Sequence, residues 1–197
     1  MPAIDHGQKL ASFKIAWFGP PGCGRSTNLR MLHQRLVDYH PRPLEERELD
    51  PQRTISFEVT LDNFPGIPDW KICLRLHALT GPSHYEVASQ FSLRHTDAAV
   101  FVADSSPDRL DTNLVALHAL QSCLKAERRE IPPLPAVFQY NKRDLPGAVL
   151  PSHLDHLLSA VTPHAVVHAV AKDGSNTLAT LDSATVLARA MPLIQQE

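Results

Sequence analysis

The strongest constraint on the fold is local. An apolar segment, residues 13–18 (FKIAWF), runs directly into Gly19-Pro20-Pro21-Gly22-Cys23-Gly24-Arg25-Ser26-Thr27, and a helical pattern follows. Glycine and proline at that density end a strand abruptly. From Ser26 to about Tyr39, apolar residues recur at Leu29, Leu32 and Leu36, the spacing of one helix face. Strand, glycine-rich turn and helix form the opening unit of a layered α/β architecture.

Downstream the alternation continues. Residues 40–51 (HPRPLEERELDP) are polar and proline-rich, and read as a loop outside the core. Residues 54–60 and 71–77 carry Ile55, Phe57, Val59 and Ile72, Leu74, Leu76 at every second position, which predicts two paired strands with one wetter face. Residues 98–103 (AAVFVA) form a nearly unbroken apolar run, as in a strand covered on both faces. A helix over 110–124, a strand over 135–140, a short helix over 152–160 capped by Ser152, a strand over 165–170 and a closing helix over 176–194 complete the chain. This succession predicts one three-layer α/β domain over residues 1–197, its central sheet mostly parallel with one antiparallel strand.

Composition narrows what such a domain can do. Nineteen Lys and Arg against 21 Asp and Glu leave a formal charge of -2, which argues against a surface that grips nucleic-acid phosphates. No apolar run approaches the ~18 residues of a membrane span, and residues 1–10 lack an apolar signal core. A cytoplasmic protein without an integral membrane segment is expected. Three cysteines are too few for a disulfide framework, and the 11 histidines are scattered without metal-ligating spacing.

Ligands of open α/β sheets bind beyond the carboxyl ends of the strands, where three loops of this chain carry chemistry. The first follows the phosphate-binding order G-x-x-x-x-G-K-[ST], with Arg25 at the lysine position. Its glycines let the backbone curl into a nest of N–H groups at a helix start, so Gly19, Gly22, Cys23, Gly24, Arg25, Ser26 and Thr27 are the phosphate-binding candidates. Ser26 is spaced to offer its hydroxyl to Mg2+. Arg25 carries a planar fork in place of a point charge and meets phosphate oxygens from a different position. A plain Gly/Pro turn is the alternative for this loop taken alone.

The second loop is Asn141-Lys142-Arg143-Asp144, directly after a strand. A carboxylate there accepts from guanine N1–H and the exocyclic amine, a donor pair adenine lacks, so Asp144 selects guanine. Asn141 holds neighbouring loops, and the Lys142 stem covers a base face. A charged surface turn is the competing reading of four such residues. The third loop, Ala171-Lys172-Asp173-Gly174, offers the Ala171 N–H to the guanine carbonyl and Lys172 beside the base.

Together these segments resemble the small Ras-like GTPases, specifically the bacterial MglA-like gliding and polarity GTPases. The resemblance is carried by FKIAWFGPPGCGRSTNL, RTISFEV, VFVADS and QYNKRDLP within residues 13–146, with a weaker echo at VAKDGSNT. It implies a P-loop small-GTPase fold, GTP or GDP as ligand, and Mg2+ held by Ser26 and Thr54. It also implies that Thr54 contacts the γ-phosphate, that Arg53 turns inward as an arginine finger, and that the Gly81 N–H meets the γ-phosphate.

The second switch departs from the family. Ras-like enzymes carry D-x-x-G-Q and the MglA-like group a form near T-V-P-G-Q, where this chain has Ala78-Leu79-Thr80-Gly81-Pro82. Ala78 has no oxygen to bridge toward Mg2+, and Pro82 has neither a side-chain amide nor an N–H to orient water. Two readings stay open: a guanine-nucleotide switch with weak or partner-dependent GTPase activity, and a pseudo-GTPase acting through protein contacts. The family implies a small roadblock/LC7-fold, MglB-like partner and switch-dependent effectors, which dock at TISFEVTLDNF and HYEVASQF.

Overall fold

A computed structural model describes residues 3–49, 52–62, 69–80, 95–126 and 134–193. In chain order the elements are β1 (Ala3–Asp5), β2 (Leu10–Phe18), α1 (Arg25–Arg35), β3 (Glu45–Leu49), β4 (Gln52–Asp62), β5 (Lys71–Thr80), β6 (Ala98–Asp104), α2 (Leu110–Ala126), β7 (Ala136–Asn141), α3 (Pro151–Leu157), β8 (Ala165–His168) and α4 (Thr177–Leu193). Short 3-10 turns, Val37–Tyr39 and Pro107–Arg109, follow α1 and precede α2.

One sheet takes the order β3-β4-β5-β2-β6-β7-β8, with β1 paired to the start of β2. The β5, β2, β6, β7 and β8 ladders are parallel. Helices cover both faces, because side chains alternate along each strand. Phe13, Ile15 and Trp17 of β2 join Leu29 and Leu32 of α1 and Leu181 and Ala184 of α4 in one buried cluster. Ala16 and Phe18 face the other way, toward Leu117 and Leu120 of α2 and Leu154 of α3. Every residue of β6 is buried, which explains its unbroken apolar sequence.

Three expectations are corrected. Two strands run against the parallel set: β4 is antiparallel to β5, as is β1 to β2. Residues 40–51 contain β3, antiparallel to β4, and Leu44 packs on the core. Its sequence EEREL shows no apolar period because it is the terminal strand of the sheet, held by backbone pairing while its charges discourage further strand addition. Finally, α3 starts one residue early, with Leu150 at the N-cap and Pro151 at the first helical position, so Ser152 is not the cap. Proline suits that position because its missing N–H needs no partner there. No helix among the described residues is long and apolar enough to cross a membrane.

Candidate functional site

β2 delivers the chain to Gly19 between β5 and β6, and α1 begins six residues later. Gly24 sits at the N-cap of α1 with φ 108°, a conformation that side-chain-bearing residues rarely adopt. A Cβ at Gly24 would strike the Asn141 amide, and one at Gly19 would strike the Val102 carbonyl. Both glycines are thus required by the close approach of β7 and β6. Pro20 and Pro21 carry no N–H, and the Cys23 N–H is turned back to the Pro20 carbonyl at 3.3 Å. The loop borders a cavity of about 370 Å³ lined by Pro21, Gly22, Gly24, Arg25, Ser26, Thr27 and Arg30.

Arg25 and Arg30 line this cavity, and no acidic side chain among the described residues does. Arg30 is engaged from outside, donating to Glu46 on β3 through Nε at 3.0 Å and Nη2 at 2.8 Å. Arg25 is only 7% exposed; its backbone N–H serves the Cys23 sulfur, and its guanidinium has no ion-pair partner among the described residues. A desolvated cation at a helix start is an arrangement that favours an anion. Cys23 lies fully buried in the same loop, and burial pushes its thiol up to about 11, against the lowering field of Arg25.

A second cavity of about 170 Å³ adjoins the first, since Gly22, Gly24 and Thr27 line both. Its other walls are the loops after β7 and β8: Asn141, Lys142, Asp144, Leu145, Val170, Ala171 and Lys172. Asn141 ties the three loops together. Its Nδ2 donates to the Cys23 carbonyl at 2.7 Å, and its Oδ1 accepts from the Ala171 N–H at 2.8 Å. Lys142 takes a left-handed backbone, φ 65°, and its Nζ donates to Asp104 at 2.6 Å. Asp144 forms an ion pair with Lys172 that holds the carboxyl below its ordinary range and the ammonium above its own.

The structure therefore gathers residues 19–27, 141–144 and 171–172 at one sheet edge. Thr54 lines neither cavity; it lies in β4, opposite Arg47 and Leu79. Arg53 is placed by its backbone opposite Glu48 and Thr80. Ala78 is buried in the core between Trp17 of β2 and Ile55 of β4. Gly81 and Pro82 lie outside the described residues. No group of three His, Cys, Asp or Glu suited to a metal gathers among the described residues.

Sequence reading missed Asp104, Arg109, Asn28 and Gln139, all polar residues that frame these loops. Gln139 had a visible signal, a polar residue inside the apolar strand AVFQYN. A larger recess of about 580 Å³ lies on the β3, β4 and β5 surface. Its carboxylates are already held: Glu58 by both Arg42 and Arg75, and Glu45 by Arg47.

A mostly parallel sheet flanked by helices, with a glycine-rich loop and a base-sized recess at its carboxyl edge, defines an α/β protein of the P-loop-like kind. The chain is 30% identical over 149 residues to the Mutual gliding-motility protein MglA of Myxococcus xanthus (strain DK1622), a match spanning 76% of each chain. The chain belongs to the MglA family of Ras-like GTPases. No protein-family model matches it.

Proposed function

We propose that this protein is a guanine-nucleotide-binding switch of the Ras-like P-loop fold, acting in the cytoplasm with weak or partner-dependent GTP hydrolysis. The observation that carries the reading is Arg25, a buried cation without an ion-pair partner among the described residues, in a cavity that opens into the one walled by Asp144. The phosphates of GTP or GDP lie along the amides of Gly22 to Thr27, where their charge meets Arg25 and the positive end of α1. The base enters between Lys142 and Lys172, and Asp144 exchanges its lysine partner for the two donors of guanine. Ser26, half-buried at the cavity wall, fits Mg2+ as a hydroxyl ligand, with phosphate oxygens and water as the remaining ligands. Mg2+ would supply charge neutralisation between the phosphates.

Hydrolysis is the weaker half of the activity. Water-positioning glutamine and an arginine supplied in cis or trans are its main non-binding contributions. Pro82 supplies neither amide nor N–H, Ala78 supplies no oxygen, and Thr54 lines neither cavity. A roadblock-fold partner and effectors reading the switch strands complete the proposal, in the cell-polarity and gliding role that the relative's name suggests.

The pseudo-GTPase reading is favoured by one observation, the departure of Arg25, Ala78 and Pro82 together from the phosphate motifs that the family implies. Equilibrium binding of fluorescent GDP and GTP analogues, with and without Mg2+, separates the two. Competition by GTP at least ~100-fold stronger than by ATP supports a working base pocket. Absence of binding into the high-micromolar range would leave the pseudo-GTPase as the correct account.

A further inference from the structure

The base-reading and phosphate loops are joined by a third group of residues that lines neither cavity. Asp104 ends β6 with its side chain fully buried, and its carboxylate serves two cations. Oδ2 accepts from Lys142 Nζ at 2.6 Å and lies 3.9 Å from Arg109 Nε. Oδ1 accepts from the Ser106 N–H at 3.0 Å and its hydroxyl at 2.7 Å. Asn113 of α2 fixes the main chain of the same residue, accepting from its N–H at 2.9 Å and donating to its carbonyl at 2.8 Å. A buried carboxylate bound this fully is a rigid anchor.

Arg109 transmits that anchor to the phosphate loop. Its Nη2 donates to the Pro21 carbonyl at 2.6 Å and lies 3.7 Å from the point a Cβ on Gly22 would occupy. Pro20 and Pro21 have no N–H, and the Cys23 N–H turns back to the Pro20 carbonyl at 3.3 Å, so the Pro21 carbonyl takes its donor from outside the arc. The hold on Pro21 comes from the turn before α2.

We propose that Arg109 is a positioning residue which, through Asp104, couples the base-reading Lys142 to the phosphate loop at Pro21. The ordering of the loop stands by itself; the coupling rests on the nucleotide-binding reading above. Its sign follows from the shared oxygen. When Lys142 turns its ammonium toward a base, Asp104 Oδ2 is left to Arg109, which is then held more firmly against Pro21. Base occupancy therefore tightens the phosphate loop, and by linkage phosphate occupancy tightens base binding.

Two measurements test this on the full chain with Arg109→Ala and Arg109→Lys. The first needs no ligand. Cys23 is buried within the phosphate loop and Cys123 is buried in α2, so their alkylation rates read loop opening and α2 opening separately. Arg109→Ala is expected to raise the Cys23 rate about tenfold or more and leave Cys123 unchanged. Arg109→Lys should fall between, because one ammonium cannot span both Asp104 and Pro21 as a guanidinium fork does. An unchanged Cys23 rate, or a parallel rise at Cys123, overturns the loop-positioning role.

The second measurement uses guanosine and inorganic pyrophosphate as separate ligands. Wild-type protein should bind pyrophosphate about fivefold more tightly with guanosine present, and Arg109→Ala should bring that ratio to one. A ratio of one in the wild type, or a ratio unchanged in the variant, overturns the coupling. If neither ligand binds the wild type, the nucleotide reading and the coupling fail together, while the Cys23 rates still decide whether Arg109 orders the loop.

Discussion

The side-chain amides of Asn28 and Gln139 bond each other reciprocally, at 2.8 and 2.9 Å, across the buried junction of α1 and β7. The remaining Asn28 donor goes to the Gly24 carbonyl at 3.0 Å, and the remaining Gln139 donor to Thr180 Oγ1 at 2.9 Å. Both side chains are fully buried, so all four amide hydrogens are used where water cannot replace them. The pair fixes the first turn of α1 to the strand that carries the Asn141 loop.

Replacing one member leaves one donor and the acceptor of the other unpaired inside the core. Gln139→Met is therefore expected to destabilise the fold by roughly 2–4 kcal/mol, read as a lower urea midpoint at unchanged slope. Adding Asn28→Leu should recover part of that loss, since two apolar groups leave fewer orphaned donors than one amide alone. A double variant no more stable than Gln139→Met would show that the pair's worth lies in packing and not in hydrogen-bond satisfaction.

Cys23 makes stability depend on pH in the alkaline range. Burial raises its thiol from an ordinary value of 9.0 to about 11, so the folded state keeps the proton that the unfolded state releases. Stability should fall as pH rises from about 9 to about 11, by on the order of 2–3 kcal/mol, and then level off. Tyr140 is also raised, by burial and by its bond to Asp155, and adds a loss of its own at higher pH. The difference between wild type and Cys23→Ala in unfolding free energy against pH isolates the thiol. A flat difference across that window would contradict the burial argument.

How much of this was legible depends on whether the signal was local. The loop from Gly19 to Thr27 announced itself because backbone reversal and close approach demand glycine at fixed spacings, and β6 did so because burial on both faces leaves no polar position. β3 was not legible: an edge strand is specified by its partner's backbone, and EEREL carries only the charges that keep other strands away. Asp104 and Arg109 were equally silent, since a buried acid at a strand end becomes an anchor only when Lys142, distant in sequence, folds against it. Thr54 shows the reverse case, a residue with an assigned role whose strand leaves it outside both cavities.

Arg25 should trade stability for binding. An arginine 7% exposed without a counter-charge among the described residues carries a desolvation cost that none of those residues offsets. Arg25→Met keeps much of the stem and removes the charge, so the ligand-free variant is expected to be more stable by about 1–2 kcal/mol. On the proposed function, millimolar GDP should raise the Tm of the wild type, and the same substitution should abolish that rise. Arg25→Lys should retain the GDP effect, because an ammonium supplies the charge from the same helix position. Lower stability of ligand-free Arg25→Met would mean that the guanidinium is compensated within the fold.

Asp144 offers the sharpest chemical test, because one atom changes the base it should read. As a carboxylate it only accepts, which suits the N1–H and exocyclic amine of guanine. In Asp144→Asn the side chain keeps one acceptor and gains a donor, matching xanthine, whose exocyclic carbonyl replaces that amine. Preference should pass from guanine to xanthine nucleotides, with a change of about 100-fold or more in the competition ratio. Lys172→Ala removes the ion pair on Asp144 and one wall of the base recess, so its overall affinity falls and only the pH dependence of binding reads the ion pair. The substitution should leave the unfolding midpoint unchanged, because the pair is exposed, and should raise Asp144's carboxyl toward its ordinary range, since Lys172 is the first cause of its lowering. The sign of the pH effect follows: guanine binding by Lys172→Ala should begin to fail at a higher pH on acidification than in wild type. Equal GTP and xanthosine triphosphate competition in both wild type and Asp144→Asn would remove Asp144 from base recognition.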